Sequence, residues 1–365
     1  MPDTQPFAPD WISPPGDTIA DLLEERDLTQ AELAHRAELS RKHVNDLIKG
    51  RAAITAEVAL RLQRVLGAPA RFWLAREANY QEALERRRQL DALAEEAPWL
   101  EELPLADMVR LGWVQRLKHP GAQVAECLGF FAVNSVAAWR TQYAGPLAAF
   151  RASEKHEKRL GAVAAWLRQG EREAIDIRTQ PFDRVGFQAA LGEVRALTRE
   201  PNPDVFVPQL RALCAAAGVA VAFVPAPRGC PASGATRFLS PDKAMLLLSL
   251  RHKTNDHLWF TFFHEAGHLC LHGKKLLFVD LEGGLSTEQE DEANVFARDK
   301  LIPQQHTQTM RPLRSAAQVT AFAERIGVHP GIVVGRMQKE GWLPWTHLNG
   351  LKLRYTWAER GGDDA

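Results

Sequence analysis

Residues 259–272 read WFTFFHEAGHLCLH, and this stretch decides what the chain can be. Trp259, Phe260, Phe262 and Phe263 are bulky and apolar, which predicts a buried helix from about Leu258 to His272. Within it stands His264-Glu265-Ala266-Gly267-His268. On a helix, positions i and i+4 share one face with Cβ atoms about 5–6 Å apart, so His264 and His268 can hold one metal ion. Glu265 lies beside the first of them. Its carboxylate can take a proton from an attacking water there, which makes it the candidate catalytic base. Burial serves that chemistry, because a dry wall strengthens a metal's polarisation of water. The plainer reading is a pair of core or surface histidines on an amphipathic helix. It would win for a lone histidine; a pair bracketing a glutamate weighs against it.

A catalytic zinc takes three protein ligands and leaves one position for water. The segment STEQEDEANVFARDKLIP (286–303) follows, and it predicts a helix from about Thr287 to Leu301 stopped by Pro303. Ala293, Phe296, Ala297 and Leu301 set its apolar face. Glu290 and Glu292 compete as third ligand; the plain reading of either is a solvated acidic first turn that suits the helix dipole. His272 lies one turn beyond His268. It is either a fourth ligand, which would close the site, or a supporting group at the helix end ahead of Gly273. Cys270 is two residues from His268, so it points off the metal face and reads as a small buried hydrophobe.

Upstream, GVAVAFVP (218–225) reads as a buried strand, PAPRGCPASG (225–234) as a loop and AMLLLSL (244–250) as a second strand. TREPNP (198–203) is a turn-rich break. From about 105 to 200 the pattern is helical, with apolar clusters such as Leu128, Phe130 and Trp139, then Ala165 and Trp166. Beyond the site another helical stretch falls near 316–340.

The other informative region is DTIADLLEERDLTQAELAHRAELSRKHVNDLIKGR (17–51). Thr29 and Glu32 form a capping-box pair that starts a short helix with Leu33 and Ala34 inward. Leu39-Ser40 makes a turn, and Ser40 can cap a further helix with Val44, Leu47 and Ile48 inward. Arg41, Lys42, His43 and Asn45 are left facing out. This is a helix-turn-helix pattern whose last helix suits the major groove. Over residues 40–51, Arg41, Lys42, Lys49 and Arg51 stand against one acid, Asp46. A local basic face matters because Lys plus Arg and Asp plus Glu are both 45, so overall charge attracts no polyanion. The plain alternative is a small helical bundle that makes protein contacts only.

The 365 residues suit two or three domains at roughly 150 residues each. The four cysteines form no CxxC pair, which argues against a disulfide framework and for a reducing compartment. Residues 1–16 are Pro-rich and acidic, a flexible arm without the basic and apolar regions of a signal peptide. No stretch approaches about 18 uncharged apolar residues, so no membrane span is expected and the cytoplasm is the expected location.

With those residues in hand, two resemblances stand out. Residues 218–303 resemble the ImmA/IrrE-type zinc metallopeptidases, through the strand, Ser233-Gly234, the histidine helix, and the pattern of Glu290, Ala293, Asn294, Phe296, Ala297, Leu301, Ile302 and Pro303. One departure is mild: the helix ends KLIP where LLMP is usual. The resemblance implies a gluzincin-like site, one Zn²⁺ per chain with Glu290 as third ligand, and cleavage of a repressor or related regulator. Residues 29–51 resemble the lambda-repressor-like, XRE-type DNA-binding domain. Residues 51–81 are similar to HigA-type antitoxins, through Ile54-Thr55, Ala59 to Leu62, Phe72-Trp73-Leu74 and Asn79-Tyr80. That implies a homodimer on palindromic double-stranded operator DNA, with Gln30 at phosphate and Ser40, Arg41, Lys42, His43, Asn45 and Lys49 on the DNA-facing helix.

The expected chain is mainly α with a small α+β domain. It comprises the arm (1–16), a lambda-repressor-like helical bundle (17–95), a helical middle region (96–200) with no chemistry of its own, a zincin-like metallopeptidase domain (201–312) and a C-terminal helical extension (313–365). The expected function is a DNA-binding transcriptional regulator with a zinc peptidase acting on a regulatory protein or on itself. The alternative is a HigA-type antitoxin or autorepressor, with a toxin partner and a structural or inactive zinc site. A third reading is a peptidase whose helical N-terminus recruits a protein substrate without DNA.

Overall fold

The computed structural model describes residues 13–144, 156–272, 278–281 and 288–357. These divide into two compact units, one reaching Glu96 and including Lys118–Ala125, the other built from Ala97–Leu117 and the chain from Glu126 onward.

The first unit is helical: α1 (Pro15–Glu25), α2 (Gln30–Arg36), α3 (Arg41–Ile48), α4 (Ala56–Leu66) and α5 (Ala70–Glu95). Local chemistry sets each start. Thr29 and Glu32 form a full capping box on α2, and the Ser40 and Thr55 hydroxyls cap α3 and α4. Ile19, Leu33, Val44, Leu47, Val58, Leu62 and Trp73 close one core. Most of the arm expected over 1–16 lies outside the described residues, but Pro15 and Gly16 already belong to α1 and are buried.

The turn between α2 and α3 holds Glu38 at φ 55°, a left-handed conformation that costs a non-glycine residue on the order of 1 kcal/mol. Arg61 of α4 holds it in place, donating to the carbonyls of Ala37 at 3.2 Å and Glu38 at 2.6 Å. Arg61→Ala should therefore loosen this turn by about 1–2 kcal/mol. Hydrogen exchange of the α2 and α3 amides in the full chain checks it, and unchanged protection would count against the assignment.

The second unit carries α6 (Leu105–Arg110), the end of α7 (Pro120–Phe131), α8 (Val136–Trp139), α9 (His156–Asp176), α10 (Arg184–Leu197) and α11 (Pro203–Ala216). A sheet follows, from β1 (Val219–Phe223), β2 (Ala232–Ser240), β3 (Lys243–Leu248) and β4 (Phe278–Leu281). Between β3 and β4 runs α12 (Asn255–Leu271); then come α13 (Glu288–Leu301), α14 (Thr307–Met310), α15 (Ala316–Ile326) and α16 (Pro330–Lys339). The strand order is β1-β3-β2-β4, with β1 parallel to β3 and β2 antiparallel to both its neighbours.

Helices cover both faces of this sheet, which is why β3 reads as an unbroken apolar run. Ala244, Leu246 and Leu248 join the core that holds Trp259, Phe262 and Phe263 of α12, while Leu247 meets Gly170 of α9. Buried on nearly every side, α12 needs its apolar residues all round.

Several expectations change here. Residues 232–234, expected in a loop, open strand β2, which the sequence reading missed. The stretch between His272 and residue 286, to which the sequence reading gave no element, contains β4. The single helical stretch near 316–340 is two helices, parted at Gly327 to Pro330. The chain from 184 to 200 and beyond 313 is not a separate layer: Phe187, Leu191, Val319, Phe322 and Val333 share the core of α12. The physical reason is that α12 cannot be covered by the sheet and α13 alone.

Candidate metal centre and DNA-facing helix

The imidazoles of His264 and His268 leave α12 on one face and meet Glu290 of α13. The Nε2 atoms of the two histidines lie 3.1 Å apart. Glu290 places Oε2 at 3.1 Å from His264 Nε2 and Oε1 at 3.4 Å from His268 Nε2. Tetrahedral zinc with bonds of about 2.0–2.1 Å separates its donors by about 3.4 Å, so this donor set fits zinc in both chemistry and spacing. Among the described residues, these three form the one group of histidine, cysteine and acidic side chains that could hold a metal ion. Both histidines are buried, and Glu290 is 27% exposed, so the site is open on one side.

Protonation states agree with ligation. Burial works to raise the Glu290 carboxyl, but its hydrogen bonds with His264 and His268 outweigh that and hold it at about 2. Burial pushes the His268 imidazole below its ordinary value, opposed by Glu290. A neutral imidazole and an ionised carboxylate are the forms that bind a metal.

Each histidine is also held from behind. His264 Nδ1 lies 3.1 Å from Asn294 Oδ1, and His268 Nδ1 lies 3.0 Å from His272 Nδ1. His272 turns its other nitrogen to Glu292, at 2.9 Å. Of the alternatives left open by the sequence, Glu290 meets the histidine pair, while Glu292 and His272 stand behind it. Cys270 sits in the apolar core, where burial raises its thiol to about 11.

Glu265, next to His264 on α12, is fully buried and packs under β2. Thr236 donates its hydroxyl to Glu265 Oε2 at 3.1 Å. Gly234, two residues earlier on the same face of β2, leaves room: a Cβ there would stand 2.5 Å from Glu265 Oε1 and 2.6 Å from Thr261 Cγ2. Gly267 plays the matching part on α12, where a Cβ would crowd Ala293 of α13 at 3.2 Å. The opposite face of β2 carries Arg237, paired with the buried Glu171 of α9. Asp107 of α6 accepts from Arg228 N at 2.7 Å and Trp166 of α9 donates to Val224 O at 2.9 Å. The middle helices thus anchor the chain on both sides of the loop that leads into β2. Thr236 was missed by sequence reading; the available signal was its spacing of two from Gly234 in ASGATRFLS, which puts both on one face of a strand.

In the helical unit, Gln30, Ser40, Arg41, Lys42 and Lys49 are exposed, while His43 and Asn45 are half-buried. Arg51 is tied to Asp46 at 2.8 Å, which leaves Arg41, Lys42 and Lys49 as the cations of α3 and its C-cap. The inward face of α3 is Val44 and Leu47; Ile48 packs only partly.

Among the described residues, no helix is long and apolar enough to cross a membrane. Residues 19–73 match the helix-turn-helix family, and residues 225–338 match the family described as IrrE N-terminal-like domain. Over 60 residues, 16% of this chain, the sequence is 35% identical to the uncharacterized HTH-type transcriptional regulator YddM of Escherichia coli K12. The match spans 64% of that relative's length. A solved structure described as an antidote protein of a plasmid maintenance system from Nostoc punctiforme is 31% identical, covering 21% of this chain and 86% of that one with a TM-score of 0.20. The chain therefore carries an XRE-type helix-turn-helix domain toward its N-terminal end and an IrrE/ImmA-like domain of the M78 peptidase family toward its C-terminal end.

Proposed function

We propose that this protein is a DNA-binding transcriptional regulator whose IrrE-like domain is a zinc-dependent metallopeptidase, acting on a regulatory protein or on itself. The observation that carries the reading is the convergence of His264, His268 and Glu290, with buried Glu265 on the same helix. His264, His268 and Glu290 would hold one zinc ion. When bound, zinc acts as a Lewis acid and lowers the pKa of water to about 7. Glu265 takes the proton of the attacking water and can pass it to the leaving amine. Thr236 orients that carboxylate, which is fully buried beneath β2. Elemental analysis of protein reloaded with Zn²⁺ tests the reading: about one zinc per chain supports it, and none removes the peptidase claim.

For the other end, α3 is the DNA-reading helix of a homodimer on a palindromic double-stranded operator, with Gln30 at phosphate and Arg41, Lys42, His43 and Asn45 toward base edges. Exposed cations on a chain of zero net charge support it. The double variant Arg41→Ala, Lys42→Ala should weaken binding to the chain's own promoter by about 100-fold, because each contact contributes roughly 1–3 kcal/mol. The slope of log affinity against log salt should also fall by up to about 2. Gel shifts across a salt series measure both. Wild type that retards no DNA even at low salt would instead favour an N-terminus that recruits protein.

A further inference from the structure

We propose that His272 and Glu292 are positioning residues, a two-member relay that fixes the tautomer and ring angle of His268 for metal binding. The inference rests on the zinc reading above and deepens it. His268 directs Nε2 toward Glu290, so a zinc ion held by the two would take the Nε2 lone pair and leave the ring proton on Nδ1. That Nδ1 lies 3.0 Å from Nδ1 of His272, which must then be the acceptor. The His272 proton consequently sits on Nε2, which faces Glu292 Oε2 at 2.9 Å. Behind the metal site each donor then meets an acceptor: His268 Nδ1 donates to His272 Nδ1, and His272 Nε2 donates to Glu292. Both His272 nitrogens are engaged away from the donor triangle, so His272 supports the site rather than closing it.

The backbone explains how His272 reaches this place. The chain leaves helical geometry there, at φ −107° and ψ 169°, while its N–H still bonds the His268 carbonyl. The ring folds back behind His268 and is 7% exposed. On α13, Glu292 follows Glu290 by two positions, so one carboxylate reaches the donor triangle and the other reaches the relay. Partners of this kind typically affect metal affinity by about 10–100-fold.

The test uses the full chain, stripped with chelator and titrated with zinc against a chromophoric competitor, with melting temperature read with and without saturating zinc. His272→Leu removes the acceptor at similar size, and Glu292→Ala removes a carboxylate that is half exposed. Zinc affinity should fall about 10–100-fold in His272→Leu and by less, in the same direction, in Glu292→Ala. His272→Asn should recover part of the loss, because its amide oxygen can accept from His268. The metal-free melting temperature should hardly move while the rise on adding zinc shrinks. Affinities within about twofold of wild type in both variants overturn the relay, as does an equal drop in melting temperature with and without zinc. Should His272→Leu fail to fold, Glu292→Ala decides alone. Wild type that binds no zinc overturns the relay together with the reading beneath it, whereas a zinc-binding wild type matched by its variants overturns the relay only.

Discussion

Glu265→Gln is expected to lower peptide hydrolysis by about 10²–10⁴-fold while zinc content stays near one per chain, the range that a positioned general base contributes. The substitution is nearly isosteric, and the amide oxygen can still accept from Thr236, so the crowding of Gly234 and Thr261 around this side chain is undisturbed. What is lost is the basic carboxylate alone. Glu265 is fully buried, and neutralising a buried acid costs little stability or adds some, so the fold should hold. Cleavage of a fluorogenic peptide mixture, with self-cleavage followed on gels, gives the rates. Equal rates for wild type and variant would move the base elsewhere. A wild type that binds zinc yet cleaves nothing, with operator binding intact and no effect of the substitution on repression, would favour an autorepressor or antitoxin whose zinc is structural.

The second large effect concerns the metal itself. His264→Ala and Glu290→Ala should each reduce retained zinc from about one per chain to about a tenth or less after dialysis. Losing one of three donors should exceed the 10–100-fold cost of losing a supporting partner, on the order of 10³-fold or more. Neither change should dismantle the domain. Helix α13 keeps Ala293, Ala297 and Leu301 in its packed face, and Glu290 is itself partly exposed. Glu292→Ala is the control on the same helix, expected to bind at saturating zinc. A protein that loses its zinc in Glu292→Ala but keeps it in Glu290→Ala would reverse the roles given to the two carboxylates.

The two ends of the chain were legible because their signals are local. Thr29 with Glu32, and Ser40 before α3, cap helices through contacts within three residues, and those contacts form whatever the rest of the chain does. The same holds for His264 and His268: once a helix forms, its period puts both rings on one face. Strand β2 was less legible, because ASGATRFLS mixes small and turn-prone residues with only a weak alternation. Its place depends on β3 and β4 flanking it and on α12 beneath, none of which a window of nine residues contains. The extent of the core was hidden for a similar reason: Phe187 and Val333 are far from α12 in sequence and meet it only on folding.

The division is sharpest at the metal centre. By itself, the sequence determined the histidine pair, the adjacent glutamate and a following acidic helix, since helical spacing alone fixes which side chains can converge. It left Glu290 and Glu292 open, and His272 between ligand and support. Two positions apart on a helix means side chains about 200° apart, so which carboxylate faces the histidines depends on how α13 is rotated against α12. That rotation is set by packing, where Gly267 lets Ala293 approach closely enough to turn Glu290 inward and leave Glu292 for His272. Local periodicity names the candidates; the close contact of two helices chooses among them.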